Sequence, residues 1–158
     1  MRGVRVPSLL LRRQALSWKE VLRGLGLRST RPRLLVLSLL ELEGRPMSPS
    51  ELSSFLEGAV DRVTVYRVLS SLKEAGLLHK VVGKDGVSRF SLNHLRSARC
   101  EGGHPHFLCE ECGRMFCLRS EGIPRVRAPQ GFKVRGKQLL LYGICGECGR
   151  TKDLREGR

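Results

Sequence analysis

The chain has 158 residues, and its formal net charge of +14 comes from 29 lysines and arginines against 15 aspartates and glutamates. No apolar run approaches the about 20 residues that a membrane-spanning helix needs, and the run Leu9–Leu11 is too short for a signal-peptide core and is followed at once by Arg12 and Arg13. We therefore expect a cytoplasmic protein of one or two small domains, with reduced cysteines and no membrane partner.

The first part of the chain is strongly basic. Up to Arg33 it holds nine basic residues and one acidic residue, Glu20. Residues 1–16 include Pro7, and their apolar residues do not recur at helix or strand spacing. We therefore expect either a flexible basic arm or a start codon set too early. A solvated basic surface is one explanation of the charge, but nucleic acid is the better one for so large an excess.

Four helical segments follow, each with a start signal. Ser17 caps a helix that runs to about Leu25, and Thr30 precedes an apolar second helix with proline in its first turn. The segment 48–51, Ser-Pro-Ser-Glu, is a capping box that begins a short third helix. Asp61 caps the fourth helix, which ends near Gly76.

The hydrophobic period then changes from that of a helix to that of a strand. Residues 78–82 and 87–92 alternate and flank the turn Gly-Lys-Asp-Gly at 83–86, which predicts a β-hairpin. Helices followed by a hairpin are the plan of a winged helix-turn-helix domain, which we place at residues 17–95. We expect an α+β protein with a hinge at 96–103, a second domain at 104–150 and a tail at 151–158.

The fourth helix has the composition of a DNA-reading helix. Its apolar positions at 65, 68, 69 and 72 should face inward, which leaves Thr64, Tyr66 and Arg67 around the exposed first turn. The first turn of a recognition helix meets base edges in the major groove. Tyr66 alone is as well explained by a half-buried structural tyrosine, but beside Thr64 and Arg67 a DNA contact is the better interpretation.

Two Cys-x-x-Cys pairs are the strongest signal in the chain. Each pair is followed by glycine, and the pairs lie about 30 residues apart. Such pairs on tight turns complete a tetrahedral zinc site, which predicts one structural zinc per chain bound by Cys109, Cys112, Cys145 and Cys148. Disulfides or redox dithiols are the alternative, but no thioredoxin-like setting surrounds either pair.

Further histidines and cysteines favour a second, regulatory metal. His104 and His106 alternate and so share one face of a strand, while His79 ends the first domain and Cys100 lies in the hinge. A site joining them would couple the angle between the domains to metal occupancy. Imidazoles with one or two thiolates, from Cys100 or Cys117, favour zinc over ferrous iron. Fe(II) and Mn(II) remain alternatives, and we read His94 as an ordinary surface residue.

The sequence resembles the ferric-uptake-regulator (Fur) family, and most of all its zinc-uptake-regulator branch. The resemblance runs in order over residues 18–150 and rests on Thr-Val-Tyr-Arg-Val-Leu at 64–69, on the segment 27–33, and on the cysteine-containing segments 104–113 and 141–145. It implies a homodimeric, metal-responsive transcription factor that binds a double-stranded DNA operator through the winged helix and dimerises through a C-terminal α/β domain, residues 104–150, with the four-cysteine zinc site. It also implies that Arg28 enters the minor groove, and that Tyr66 and Arg67 make major-groove and phosphate contacts.

The resemblance also bears on the metal sites. His79, Cys100, His104 and His106 fall at or near the sensory ligands of the zinc-uptake branch, and Cys117 stands where most relatives carry an acidic ligand. A further site of many relatives should be absent, because Gly103 and Pro105 interrupt its histidine run and Lys137 replaces a later histidine. Prolines within 123–129 should shorten the family's dimerisation helix.

We therefore predict a zinc-responsive transcriptional repressor of metal-uptake genes that catalyses no reaction. An iron- or peroxide-responsive regulator of the same family is the alternative, although the peroxide branch favours carboxylate ligands. A zinc hydrolase or deaminase needs an open zinc position beside a general acid or base, and neither cysteine pair carries the deaminase motif. A zinc-ribbon protein that binds RNA fits the charge but not the fourth helix.

Overall fold

The computed structural model describes residues 17–93, 104–118 and 120–156, with side chains to residue 151. The predicted arm, His94, Cys100 and the predicted hinge lie outside these ranges. Within them, no helix combines the length and apolar character that crossing a bilayer requires.

Four helices form the first part of the structure. The described part of α1 covers 17–24, and α2 (Arg31–Glu43), α3 (Pro49–Phe55) and α4 (Arg62–Glu74) follow. The predicted capping box is present: Ser48 Oγ accepts the Glu51 N–H, while the Glu51 carboxylate accepts the Ser48 N–H at 2.7 Å. Asp61 caps α4 by accepting the Thr64 N–H. Thr30 precedes α2 but makes no side-chain cap bond.

The helices enclose one apolar core. Leu22 of α1, Leu37 of α2, Leu52 of α3 and Leu72 of α4 are all fully buried in it. The inward positions predicted for α4 are buried, so the opposite face of this helix, with its first turn, is turned to solvent.

A hairpin completes the first domain. β1 (Leu78–Val82) and β2 (Ser88–Leu92) pair antiparallel, with Leu78 opposite Leu92. Met47 adds a short bridge to Phe90 through two backbone hydrogen bonds of 2.9 and 2.8 Å. We refer to β1, β2 and the intervening residues 83–87 as the wing. The arrangement is a winged helix, as the sequence predicts.

The second part is a small mixed sheet with a terminal helix. β3 (His106–Cys109) lies between β4 (Met115–Cys117), its antiparallel neighbour, and β5 (Leu140–Gly143), its parallel neighbour. Residues 120–139 contain neither helix nor strand, so the dimerisation helix expected in shortened form at 123–129 is not formed at all.

The last element was not predicted. α5 (Gly146–Glu156) begins inside the second Cys-x-x-Cys pair and continues past the predicted domain boundary after residue 150. The predicted boundary between the second domain and the tail thus falls within this helix. Gly146 and Gly149 weaken the helix signal in the sequence, since glycine is a poor helix former.

The wing packs directly on the second domain. Val81 of β1 shares a small buried cluster with Leu108 and Met115, and Leu140 packs against it. Beside this cluster the buried Arg89 guanidinium donates to Asp85 Oδ2 at 2.8 Å and to Gly113 O at 3.1 Å. Its hydrogen bond holds the pKa of Asp85 below its ordinary value. The β1 end that carries His79 is thereby placed near β3.

Candidate metal sites and DNA-binding helix

The four cysteines of the two pairs form one cluster, which we call the cysteine cluster: Cys109, Cys112, Cys145 and Cys148. Their four sulfur atoms all lie within 4.8 Å of one another. The sulfurs of Cys112 and Cys145 are 4.0 Å apart, about twice a disulfide bond length of about 2.05 Å. Sulfurs on a tetrahedral zinc with bonds of about 2.3 Å are about 3.8 Å apart. The donor set and spacing fit a structural zinc site.

Backbone amides favour thiolates in this cluster. The Cys145 N–H donates to Cys109 Sγ at 3.3 Å, across the two pairs. Burial acts to raise the pKa of Cys109, but amide hydrogen bonds from Cys112, Cys145 and Glu111 outweigh it and lower that pKa to about 6. The neighbouring thiol of Cys145 raises the pKa of Cys148 to about 12. A divalent cation relieves this crowding of thiolates.

Arg114 is a charged residue at this cluster that the sequence prediction missed. Its interaction with the Cys112 sulfur, followed by its hydrogen bond to the Glu147 carboxylate, raises the pKa of the guanidinium. Arg114 therefore joins the first cysteine pair to the first turn of α5, within the second pair, and offsets the negative charge of the thiolates. Both pairs are followed by Gly-Arg, a repeat that is visible in the sequence.

A second cluster joins the two domains, and we call it the histidine cluster: His79, His104 and His106. One ring nitrogen from each histidine lies within 4.8 Å of those of the other two. The ring centroids of His104 and His106 are 4.5 Å apart, and that of His79 is 5.8 and 5.6 Å from them. β1 of the wing supplies His79, whereas β3 and the residues before it supply the other two.

The environment of His106 suits a metal ligand. Its side chain is 2% exposed, and both of its ring nitrogens are buried without a hydrogen-bond partner in the described structure. Burial, with smaller contributions from His104 and His79, lowers its pKa to about 4. The ring is therefore neutral near pH 7 and has a nitrogen lone pair for a metal. Leaving such nitrogens without partners is costly, and a metal ion removes that cost.

The two predicted cysteine ligands of this site have different outcomes. Cys100 lies outside the described residues. Cys117 is directly across the β3–β4 ladder from His106. Among the described residues, its sulfur does not belong to the set of ligand atoms within 4.8 Å of one another. The histidine cluster is thus a site of three imidazoles, to which Cys100 or Cys117 remains a predicted fourth ligand.

The N-terminal half of α4 carries three of the predicted DNA-contacting residues, Thr64, Tyr66 and Arg67. Tyr66 is 45% exposed, and Arg67 is exposed. The Arg62 guanidinium lies 5.9 Å from the centroid of the Tyr66 ring, a cation–π arrangement. Val63, which the sequence prediction passed over, is 60% exposed one turn before Tyr66 and Arg67.

Thr64 and Arg28 have different surroundings. The Thr64 hydroxyl donates to Asp61 Oδ2 at 2.5 Å, so it is engaged in the helix cap. Arg28 is exposed in the connection between α1 and α2, where its carbonyl oxygen accepts from Arg33 Nη1 at 2.8 Å. The Arg33 side chain thus holds the backbone at Arg28, and Arg28 itself is exposed to solvent.

Comparison with known proteins identifies the family. The model of the ferric uptake regulator family matches residues 24–142. The chain is 30% identical over 146 residues to a ferric uptake regulation protein of Bordetella parapertussis, covering 87% of this chain and all of that protein. It is 28% identical over 141 residues to the peroxide operon regulator of Bacillus subtilis, covering 85% and 92% of the two chains.

Solved structures agree with these relatives. A zinc uptake regulator complexed with zinc and DNA superimposes with a TM-score of 0.62 at 23% identity, covering 90% of this chain and 97% of that one. At that identity the likeness supports the fold, and the family match rests on the sequence. The winged helix, the cysteine cluster and the match over residues 24–142 together show that this chain belongs to the ferric uptake regulator family of metal-responsive DNA-binding regulators.

Proposed function

We propose that this protein is a zinc-responsive transcriptional repressor that binds a double-stranded operator as a homodimer and controls metal-uptake genes. In this proposal the cysteine cluster holds a structural zinc and the histidine cluster holds the sensed metal. The observation that carries it is the origin of the three histidines. One comes from the wing and two from the second domain, yet their ring nitrogens lie within 4.8 Å of one another.

A ligand set split between two domains makes metal binding depend on their relative position. Metal binding therefore stabilises the arrangement in which the wing lies against β3, and by linkage that arrangement favours metal binding. In a homodimer the relative position of the two winged helices sets the spacing of the DNA half-sites that both can reach. Without the metal the two winged helices would sample a wider range of spacings, and operator binding would weaken.

The donor chemistry favours zinc. Three imidazoles, with a thiolate as the predicted fourth ligand, suit zinc, whereas ferrous iron and manganese are better served by sites that include carboxylates. Among the described residues, the histidine cluster contains no aspartate or glutamate. Imidazole also binds iron, so Fe(II) and Mn(II) are the alternatives that the experiment must compare.

DNA binding in this proposal uses α4 and the basic approach to α2. Tyr66 contacts bases through its exposed ring, Arg67 contacts bases or phosphates, Thr64 orders the first turn through its cap, and Arg28 reaches the minor groove. The net charge of +14 supplies the electrostatic part of the affinity.

The deciding experiment combines metal content with DNA binding. The protein is purified in reduced form, its metals are measured, and an operator is selected from random duplexes with zinc present. Operator affinity is then measured against buffered Zn²⁺, Fe²⁺ and Mn²⁺. We expect two zinc ions per chain at saturation and a rise in affinity as the second one binds. A rise with Fe²⁺ or Mn²⁺ but not with Zn²⁺ would assign the protein to the iron- or peroxide-responsive alternative.

A further inference from the structure

The backbone holds Asn93 in a defined place beside the histidine cluster. Asn93 follows β2 directly, and its N–H donates to Leu77 O at 2.8 Å, which adds one bond to the β1–β2 ladder. His79 is opposite Ser91 in that ladder, so Asn93 is its diagonal neighbour on the same face. The Asn93 Oδ1 atom lies 2.9 Å from His79 Nδ1.

The other end of the Asn93 amide fixes its orientation. Asn93 Nδ2 donates to the carbonyl oxygen of Gly76 at 2.7 Å. A carbonyl oxygen only accepts hydrogen bonds, so the nitrogen of the amide must face Gly76. The amide oxygen therefore faces His79, and since that oxygen only accepts, the proton of this hydrogen bond belongs to His79 Nδ1.

We propose that Asn93 is a positioning residue for the regulatory metal, which holds His79 as the Nδ1–H tautomer and ties it to the end of α4. The inference rests on the proposed metal site at the histidine cluster. A neutral imidazole protonated on Nδ1 has its lone pair on Nε2, so Nε2 is the nitrogen with which His79 ligates.

The tie to α4 depends on Gly76. This residue follows the helix with a φ of +73°, a conformation that glycine adopts without strain, and its N–H donates to Lys73 O at 3.0 Å. Its carbonyl oxygen receives the Asn93 amide. Two hydrogen bonds thus lead from a metal ligand to the C-terminal end of the helix that carries Tyr66 and Arg67. A metal ion that restrains His79 also restrains this end of α4.

Two variants separate the functions of the Asn93 amide. Asn93→Ala removes both hydrogen bonds, whereas Asn93→Asp keeps the acceptor for His79 and removes the donor to Gly76. We expect Asn93→Ala to bind the second zinc about 10–100-fold more weakly in a chelator competition. Asn93→Asp should bind it at least as tightly as the wild type, yet exchange the amide hydrogens of residues 75–77 faster. An affinity of Asn93→Ala equal to that of the wild type would overturn the proposal.

A measurement without the sensed metal tests the tautomer directly. Ring ¹⁵N shifts of His79, in protein that holds only the structural zinc, should show a protonated Nδ1 in the wild type and in Asn93→Asp. In Asn93→Ala the two tautomers should mix. A wild-type ring protonated on Nε2 would refute the inference, whatever the stability of the variants.

The variant His79→Ala distinguishes this inference from the proposed function. If His79→Ala binds the second zinc as the wild type does, the proposed metal site is wrong. If His79→Ala loses that zinc while Asn93→Ala keeps both its affinity and the Nδ1–H tautomer, the site stands and the role of Asn93 is refuted. The content of structural zinc and the thermal midpoint report whether each variant is folded.

Discussion

The side chain of Gln138 pairs with the backbone of Val82 as a neighbouring strand would. The Val82 N–H donates to Gln138 Oε1 at 3.2 Å, and Gln138 Nε2 donates to Val82 O at 2.7 Å. One residue from the segment before β5 thus satisfies both polar groups of Val82 at the edge of the wing. Together with Arg89 and the cluster around Val81, it holds the wing against the second domain.

The first prediction concerns this contact. Gln138→Ala should loosen the wing, because it removes both side-chain hydrogen bonds to Val82. The protein should stay folded, because each hydrogen bond contributes only about 0.5–1.5 kcal/mol. We expect the Val82 amide hydrogen to exchange faster with solvent than in the wild type, while the thermal midpoint of helix unfolding equals that of the wild type within error. The exposed neighbour Lys137 provides the control variant Lys137→Ala. Equal exchange at Val82 in all three proteins would show that the contact is not maintained in solution.

The second prediction concerns the cysteine cluster. Cys112→Ser removes a thiolate from a site that closes a long loop, so the variant should lose its structural zinc and unfold the second domain. Cys117→Ser is the matched control, since Cys117 lies on β4 outside the cluster and should leave this zinc in place. Zinc content and hydrodynamic radius provide the measurement. A dimeric Cys112→Ser protein with unchanged zinc would refute a structural role for this cluster.

The third prediction concerns the histidine cluster. His106→Ala should keep one zinc per chain and remain dimeric, because the cysteine cluster is untouched. Its operator affinity should be low and independent of zinc concentration, as read from fluorescence anisotropy across a buffered zinc series. A zinc response like that of the wild type would place the sensory site elsewhere.

The fourth prediction concerns DNA reading by α4. Tyr66→Ala should lose discrimination between operator and random duplex, whereas Arg67→Ala should weaken binding to both. If Arg67 contacts a phosphate, the slope of log affinity against log salt should fall by about 1. Lys73→Ala, in the last turn of the same helix, serves as the control. Operator affinities that match the wild type in both test variants would exclude Tyr66 and Arg67 from the interface.

The fifth prediction concerns pH in protein that lacks the sensed metal. Burial lowers the folded-state pKa of His106 to about 4, from an ordinary value of 6.5. Between these values the unfolded chain binds a proton that the folded chain does not, so stability falls as pH decreases from about 6.5 towards about 4. Urea midpoints should show this fall in the wild type and a smaller one in His106→Gln. Parallel curves for the two proteins would show that His106 titrates normally.

Much of the architecture is determined locally and was therefore accessible from the sequence. The capping box at Ser48 and Glu51 and the Asp61 cap act over three residues, and the turn at 83–86 joins adjacent strands, so short motifs were enough to place them. The two Cys-x-x-Cys pairs were enough to predict the cysteine cluster, and these pairs together with the motifs at 27–33 and 64–69 were enough to predict the family.

The remaining features depend on contacts between segments that are distant in the chain. The family resemblance grouped His79 with His104 and His106, but nothing near His79 in the sequence shows that Asn93 joins it to Gly76. α5 was missed because its own propensity is poor, and residues 120–139 form no helix where the family resemblance led us to expect a shortened one. The sequence by itself determined the family, the starts of α2, α3 and α4 and the grouping of four cysteines, because these follow from short motifs. Only the tertiary structure decided the supporting contacts, those of Asn93 with His79 and Gly76 and of Gln138 with Val82, since these join segments that are brought together when the wing folds and packs on the second domain.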